Sequence, residues 1–266
     1  VKIVLVARWE LPHRYVGKRV EVYDRLDSTN SLALERCRDS DSDGLALLAQ
    51  EQLAGRGQFG RTWQAPAGSS VLLSVILFPP PPLRRPAVLT AWAAVSVCQL
   101  IAQITGQEAR IKWPNDVLLH DKKVCGILIE QRSAHSTEPD AQATVAGIGL
   151  NVRQEASFFA EAQLPLAGSL LSLTGQICDS GEVARRLLSQ LDDFYALLCQ
   201  GETGPLESMW RDRLGLLGRD VAVELAGGGH DGRLREIAFS GLVLETAGGE
   251  LLYLQPEAIR HLILAS

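Results

Sequence analysis

The sequence is poor in the patterns that usually announce chemistry. Its five cysteines (Cys37, Cys98, Cys125, Cys178 and Cys199) are scattered and form no Cys-x-x-Cys pair. That argues against a disulfide framework or a structural zinc site and suits a reducing cytoplasm. The five histidines, at positions 13, 120, 135, 230 and 261, are equally dispersed. Positive charge is not in excess: 26 Lys and Arg against 31 Asp and Glu leave a net charge of −5, so there is no overall basic field for nucleic acid. No Ser/His/Asp or Cys/His pairing suggests a nucleophile, and Cys125, inside a strand-like run, reads as core. No signal peptide is expected: the start, Val1 to Val6, is strand-like, with Arg8 close behind. Only one stretch, from Arg85 to Glu108, lacks charge for long enough to approach a membrane span. It is alanine-rich and carries Thr90, Ser96, Gln99 and Gln103. If the loops on either side of it build one site, it is a helix buried in a soluble core.

What is present is a composition of 46% hydrophobic and 21% charged residues over 266 positions. That is an ordinary globular chain with room for one large domain and a small one. Its focus is Glu51 to Trp63, where Gly55, Gly57 and Gly60 alternate with Arg56 and Arg61 before a tryptophan. Glycines let the backbone bend and expose successive N–H groups as an anion-binding concavity, and arginines add charge and planar donors. The same composition also describes a plain turn. Weight comes from a second such element, Lys112 to Gly126.

The order of elements restricts the choices. Val20 to Leu26 reads as a strand, followed by Asp27-Ser28-Thr29-Asn30 and a helix from Ser31 to about Arg38. Capping needs one of these side chains; four together also make a polar-ligand site. Gly44 to Gln50 and Ser70 to Phe78 read as core strands flanking the glycine loop. That placement excludes a Walker loop or a dinucleotide fingerprint, both of which open a helix. Pro79 to Pro82 suggests a stiff polyproline connector, and Pro86 and Gly106 bound the buried helix. Arg110 to Leu119 reads as a hairpin around Pro114-Asn115-Asp116, then Val124 to Glu130 as a strand. A polar loop (Ser133 to Gln142) leads to a strand from Ala143 to Val152. Its alternating Gly147 and Gly149 leave one face bare, for a flat ring or for close helix packing. Arg153 to Leu173 looks irregular and mobile. An amphipathic helix capped at Asp179 or Ser180 ends at Gly201, and a second runs from Pro205 to Gly215. From Leu217 the character changes to short strands at 221–225, 232–238, 241–246 and 250–254, separated by glycine turns. This is a small β-barrel of roughly 45 residues, too short for comfortable stability alone, and so expected to dock on the larger part. The expected division is residues 1–216 and 217–266.

From the residues alone, Lys123 with Arg56 or Arg61 can grip phosphates, and Asp116 can hold Mg²⁺ beside them. Without a protein nucleophile, catalysis would consist of positioning and electrostatic stabilisation. The reading stops at a nucleotide-using enzyme acting on ATP and a small carboxylate.

Six motifs carry a resemblance: Asp27-Ser28-Thr29-Asn30, Gln52-Leu53-Ala54-Gly55-Arg56-Gly57, Gly60-Arg61-Thr62-Trp63, Lys112-Trp113-Pro114-Asn115-Asp116, Lys123-Val124-Cys125-Gly126-Ile127-Leu128 and Gly147-Ile148-Gly149-Leu150-Asn151. In this order, and over essentially the whole chain, they resemble the biotin protein ligases. The resemblance implies an α+β catalytic domain like that of class II aminoacyl-tRNA synthetases, a mixed sheet flanked by helices, followed by an SH3-like barrel. It implies that biotin and MgATP give biotinyl-5′-adenylate, from which a lysine of a biotin carboxyl carrier protein takes the biotinyl group. By the same resemblance Ser28, Thr29, Asn30 and Gln52 bind the ureido ring, with Gly126, Gly147 and Gly149 also at the biotin site. The backbone from Arg56 through Gly57 to Gln58 lines the valeryl chain and carboxylate. Lys123 bridges that carboxylate and the α-phosphate, Asp116 serves magnesium or the incoming lysine, and Arg61 contacts pyrophosphate. Lys112, Trp63, Asn115 and Asn151 fall on the nucleotide side, with segment 153–173 as a lid over adenine.

The chain departs from the family twice. Gln58 stands where many members carry a second arginine, and a neutral amide holds a phosphate less firmly. Only about 20 residues precede the Val20 strand, so a DNA-binding domain and specific DNA binding are not expected from this stretch, nor is a membrane location. Exposed sheet edges offer a route to a homodimer or to docking of a carrier domain. The alternatives are a lipoate–protein ligase of the same fold, whose substrate has no ureido group, and a non-catalytic nucleotide-binding module.

Overall fold

The computed structural model describes residues 3–133 and 142–265. Alternation along one strand organises the layers. Residues 70–77 are buried throughout, yet Val71, Leu73, Val75 and Leu77 join one apolar cluster while Leu72 and Ile76 join another. Successive side chains of a strand point to opposite faces, so this strand is the centre of a sheet covered on both sides.

Its sheet has eight strands: β1 (Leu5–Glu10), β2 (Arg19–Leu26), β3 (Ala46–Gln52), β4 (Ser70–Leu77), β5 (Arg110–Lys112), β6 (Asp116–Leu119), β7 (Lys122–Ser133) and β8 (Gln142–Asn151). The spatial order is β1-β2-β3-β4-β8-β7-β6-β5, with β2 and β3 parallel and every other neighbouring pair antiparallel. One face carries α1 (Thr29–Arg36), whose Ala33 packs with Leu47, Ala49, Leu72 and Val145. The other carries α2 (Pro86–Thr105), α5 (Ser180–Cys199) and α6 (Gly204–Leu214). Helix α2 is the uncharged run, opened by Pro86 and closed by Gly106 in the left-handed region. By length and composition it is apolar enough to cross a membrane, but 67% of that stretch is buried. Trp92 lies at its centre, fully buried, with its indole N–H donated to the Leu191 carbonyl of α5 at 3.0 Å.

The remaining strands, β9 (Asp220–Leu225), β10 (Gly228–Ala238), β11 (Gly241–Glu245), β12 (Leu251–Leu254) and β13 (Ile259–Leu264), form a separate antiparallel sheet ordered β12-β11-β10-β9-β13. It is consistent with an SH3-like barrel, and it docks as its small size demands. Trp113, Trp210 and Phe239 stack in series at centroid distances of 5.9 and 5.2 Å, and the Trp113 indole donates to the Ile259 carbonyl at 3.1 Å.

Several expectations need correction. Segment 153–173 is not irregular: it contains α3 (Ala156–Glu161) and α4 (Leu170–Thr174), the latter fixed by a capping box at Ser169 and Ser172. Its helices are too short for periodicity to reveal. The proline run is not a polyproline connector throughout, because Pro81–Leu83 forms a 3₁₀ turn. Strand β13 escaped notice because a register irregularity between Ile259 and His261 breaks its alternation. The first strand begins at Leu5. Of the polar loop expected from Ser133 to Gln142, Ser133 closes β7 and Gln142 opens β8, and residues 134–141 lie outside the described residues.

Candidate active site

The site grows from missing side chains on the α1 face of β7 and β8. Gly126 and Gly149 face each other across the ladder, as do Leu128 and Gly147. A Cβ on Gly149 would come within 2.6 Å of the Trp63 indole, and one on Gly147 within 2.1 Å of Asn30 Oδ1. Both readings of the bare face therefore hold, since a flat ring and a helix residue each rest on it. The ring is the protein's own Trp63.

Trp63 closes the glycine loop. Gly57 N–H donates to Arg61 O at 2.7 Å and Trp63 N–H to Gly55 O at 2.9 Å, so the loop is a narrow hairpin. Gly55 must be glycine, because a Cβ there would sit 2.3 Å from the Trp63 carbonyl. At the tip Phe59 adopts a left-handed conformation (φ 58°) and is 66% exposed.

The α1 N-terminus supplies a buried neutral polar cluster. The Thr29 N–H and hydroxyl both donate to Gln52 Oε1, at 2.7 and 3.0 Å. Ser74, fully buried on β4, reaches Thr29 Oγ1 at 2.7 Å and Asn30 Oδ1 at 2.5 Å. Asn30 in turn donates to Glu130 Oε2 at 2.9 Å. Two hydroxyl protons thus serve three oxygen–oxygen contacts, so the cluster is one proton short. A guest bringing N–H groups suits it best.

At the other end sits charge. Lys123 Nζ lies 2.5 Å from Asp116 Oδ1, the two side chains being 34% and 19% exposed. The Lys123 backbone is pinned from above: its N–H donates to Leu166 O at 2.7 Å, and its carbonyl accepts from Gly168 at 3.0 Å. The segment expected to be mobile is therefore hydrogen-bonded at residue 123.

These parts line one cavity of about 250 Å³. Ser28, Thr29, Asn30, Gln52, Arg56, Gly57, Gln58, Arg61, Trp63, Asn115, Asp116, Lys123, Gly126, Gly147, Gly149 and Asn151 all reach it, and so does Phe159 of α3. Lys112 does not: it is exposed on the short edge strand β5 and absent from the lining. Two nominated amides are already engaged. Asn151 donates to Gly168 O at 3.0 Å and accepts from Gln154 at 2.9 Å, and Asn115 donates to Ile127 O at 2.7 Å. Ser74 and Glu130 were not foreseen. A serine inside the apolar run from Val71 to Leu77 is the signal for the first, since a buried hydroxyl needs partners. Glu130 shares the period-2 face of Gly126 and Leu128, a relation visible only once the register is known.

A cavity lined both by a buried neutral polar cluster and by a lysine–aspartate pair suits an enzyme that activates the acid end of a small molecule. The comparisons agree. A profile described as the biotin/lipoate A/B protein ligase family matches residues 22–151. The chain is 32% identical over 251 residues to a biotin–[acetyl-CoA-carboxylase] ligase of Mycobacterium tuberculosis, covering 92% of this chain and 90% of that protein. It is 31% identical over 243 residues to the bifunctional ligase/repressor BirA of Bacillus subtilis, covering 91% and 74% respectively. It superposes on a biotin protein ligase of Aquifex aeolicus in complex with biotin and ATP with a TM-score of 0.75 at 26% identity, covering 92% and 99%. The chain belongs to the biotin protein ligase family.

Gly147→Ala is expected to push Asn30 off Ser74 and to cost about 1–3 kcal/mol, as overpacking of a close contact does. Urea denaturation reads this directly. An unchanged midpoint contradicts the placement of Asn30 on β8.

Proposed function

We propose that the chain adenylates biotin with ATP and passes the biotinyl group to a lysine of a carrier protein. One observation supports this most: a proton-poor neutral cluster, with Asn30 seated on Gly147, and a lysine–aspartate pair, with Lys123 beside Gly126, line one cavity. The ureido group of biotin brings two N–H donors to the cluster at Ser28, Thr29, Asn30 and Gln52, which Ser74 supports from below. The dithiolane of lipoate brings none, which disfavours the lipoate alternative. The valeryl chain then runs over the floor of Trp63 and glycines, and its carboxylate reaches Lys123.

In the first half-reaction a carboxylate oxygen attacks the α-phosphorus of ATP and the bond to pyrophosphate breaks. Two anions must approach, and the Lys123 ammonium lowers that repulsion and the charge that develops on the phosphoryl oxygens. Doing so draws it away from Asp116. In the second half-reaction the acceptor amine attacks the acyl carbon, the acyl–phosphate bond breaks so that AMP leaves with its electron pair, and the amine's proton passes to the departing phosphate or to solvent; Asp116, freed of Lys123, can orient that amine. Arg61 at the cavity mouth is assigned to the pyrophosphate side, and Arg56, Gln58, Trp63, Asn115 and Asn151 to the loop and nucleotide side. Residues 1–216 carry this chemistry in the proposal, and 217–266 the accessory barrel.

Magnesium fits as part of the nucleotide rather than as a resident ion. Asp116 is one carboxylate at the cavity, and phosphate oxygens complete the donor set magnesium prefers. Among the described residues no group of three His, Cys, Asp or Glu side chains could hold a metal. When bound, the ion neutralises phosphate charge. The acceptor assigned is a biotin carboxyl carrier protein, such as that of the acetyl-CoA carboxylase named for the M. tuberculosis relative. The five free cysteines suit a reducing cytoplasm.

Lys123→Ala is expected to slow adenylate formation by about 10²–10³-fold, the scale of losing an oxyanion donor. Pyrophosphate release with biotin, in competition with lipoate, measures it. A near wild-type rate removes Lys123 from its role, and efficient competition by lipoate overturns the substrate assignment. Gln58→Arg is expected to slow release of the adenylate in stopped-flow dissociation; an unchanged rate rejects a role for residue 58 in retention.

A further inference from the structure

Glu130 has no place in the chemistry above and does not line the cavity, yet it is tied to that cavity from two sides. Arg56 Nη1 donates to its Oε2 at 3.0 Å and Nη2 to its Oε1 at 2.7 Å, a bidentate fork. The same Oε2 accepts from Asn30 Nδ2 at 2.9 Å. Arg56 belongs to the glycine loop, Asn30 to α1 and Glu130 to β7, separated by 74 and 100 positions in sequence. One carboxylate joins the two ends of the proposed biotin site through the sheet beneath them.

The geometry favours a standing connection over a chance surface pair. The carboxylate is 20% exposed and the guanidinium 42%, and a planar fork with a third donor is far more constrained than a single exposed contact. At its start the loop is tied to the end of β2 by Leu53 N–H to Leu26 O at 3.0 Å and Ala54 N–H to Asp27 O at 2.9 Å. From Gly55 to Trp63 its backbone bonds, Gly57 to Arg61 and Trp63 to Gly55, close it on itself. Trp63 lying on Gly126 and Gly149, and Arg56 held by Glu130, seat that stretch on the sheet.

We infer that Glu130 is a positioning residue that holds Arg56 and Asn30 in place, so that the glycine loop and the polar cluster at the α1 N-terminus are set as one unit before any ligand arrives. Both terminal nitrogens of Arg56 are then committed, and its charge serves the placement of the loop rather than a phosphate. The anion is left to the loop's backbone N–H groups, to Arg61 and to Lys123. Loosening the loop should therefore also loosen the ring site, through Glu130 and Asn30.

This inference rests on the proposed biotin site for its affinity readout, so the test includes an arm without ligand. Hydrogen–deuterium exchange of residues 55–63 is followed in the ligand-free full chain for wild type, Glu130→Ala, Glu130→Gln, Arg56→Ala and the double Arg56→Ala/Glu130→Ala. Each single alanine variant is expected to speed exchange of the loop about tenfold, the scale of a charge-assisted bidentate pair. The double variant is expected to go no further, because both changes remove one interaction. Glu130→Gln, which keeps an acceptor for Asn30 but no ion pair, should fall between, and it carries the test if the alanine variant does not fold. Protection of β4 and β8 should stay unchanged. Calorimetry should show biotin binding about tenfold weaker in Glu130→Ala, again on the scale of one charged pair. Wild-type loop exchange in both Glu130 variants, or additive effects in the double variant, overturns the inference. Loop exchange that responds as expected in a protein that binds no biotin upholds the positioning role and overturns the proposed ligand instead.

Discussion

Everything at this site depends on three positions without side chains. Gly126 and Gly149 sit opposite each other on β7 and β8, with Gly147 one step along, and together they let two other elements descend onto the sheet. Trp63 brings the glycine loop down, and Asn30 brings the N-terminus of α1. Fill either space and the loop or the helix must rise, separating the polar cluster from the ionic pair. The cost of a bare strand face is met on the other side of the sheet, where Ile127, Ile148 and Leu150 pack against the large helical core.

Once the loop and α1 are seated, the distribution of polarity follows. The inner end is neutral and buried, with Ser74 and Thr29 sharing too few protons for their contacts. The outer end keeps Lys123 and Asp116 together, each neutralising the other until an anion arrives. In the proposed reaction the neutral cluster would select orientation and the charge pair would supply the electrostatic work, so recognition and catalysis would fall on different parts of one substrate. The segment bearing α3 and α4 is hydrogen-bonded to the backbone of residue 123, which places Phe159 and Leu164 at the same cavity as the lysine.

Much of this was legible in the sequence, for identifiable reasons. Strong punctuation marked α2 and α6, where Pro and Gly stand at the ends of apolar or amphipathic runs. Motif order assigns the glycine loop and Lys123 to one site, and they do share a cavity. Lys112 shares a face with Asp116, its partner across the ladder, but lies on the outermost strand and does not reach the cavity, a separation that motif order does not reveal. Asn115 and Asn151 reach the cavity with their amides already engaged. Glu130 and Ser74 stayed hidden because their partners lie far away in sequence and depend on strand register. The short helices α3 and α4 were missed since five or six residues show no period.

The central claim is that this cavity joins the acid end of biotin to a nucleotide and then to an acceptor amine. Its most direct test is intact-protein mass spectrometry of a biotin carboxyl carrier domain incubated with the chain, biotin and MgATP. The account requires a single biotinyl addition, mapped to one lysine, absent without ATP and undiminished by excess lipoate. An unmodified carrier under these conditions, or one that gains a lipoyl group in preference, would contradict it.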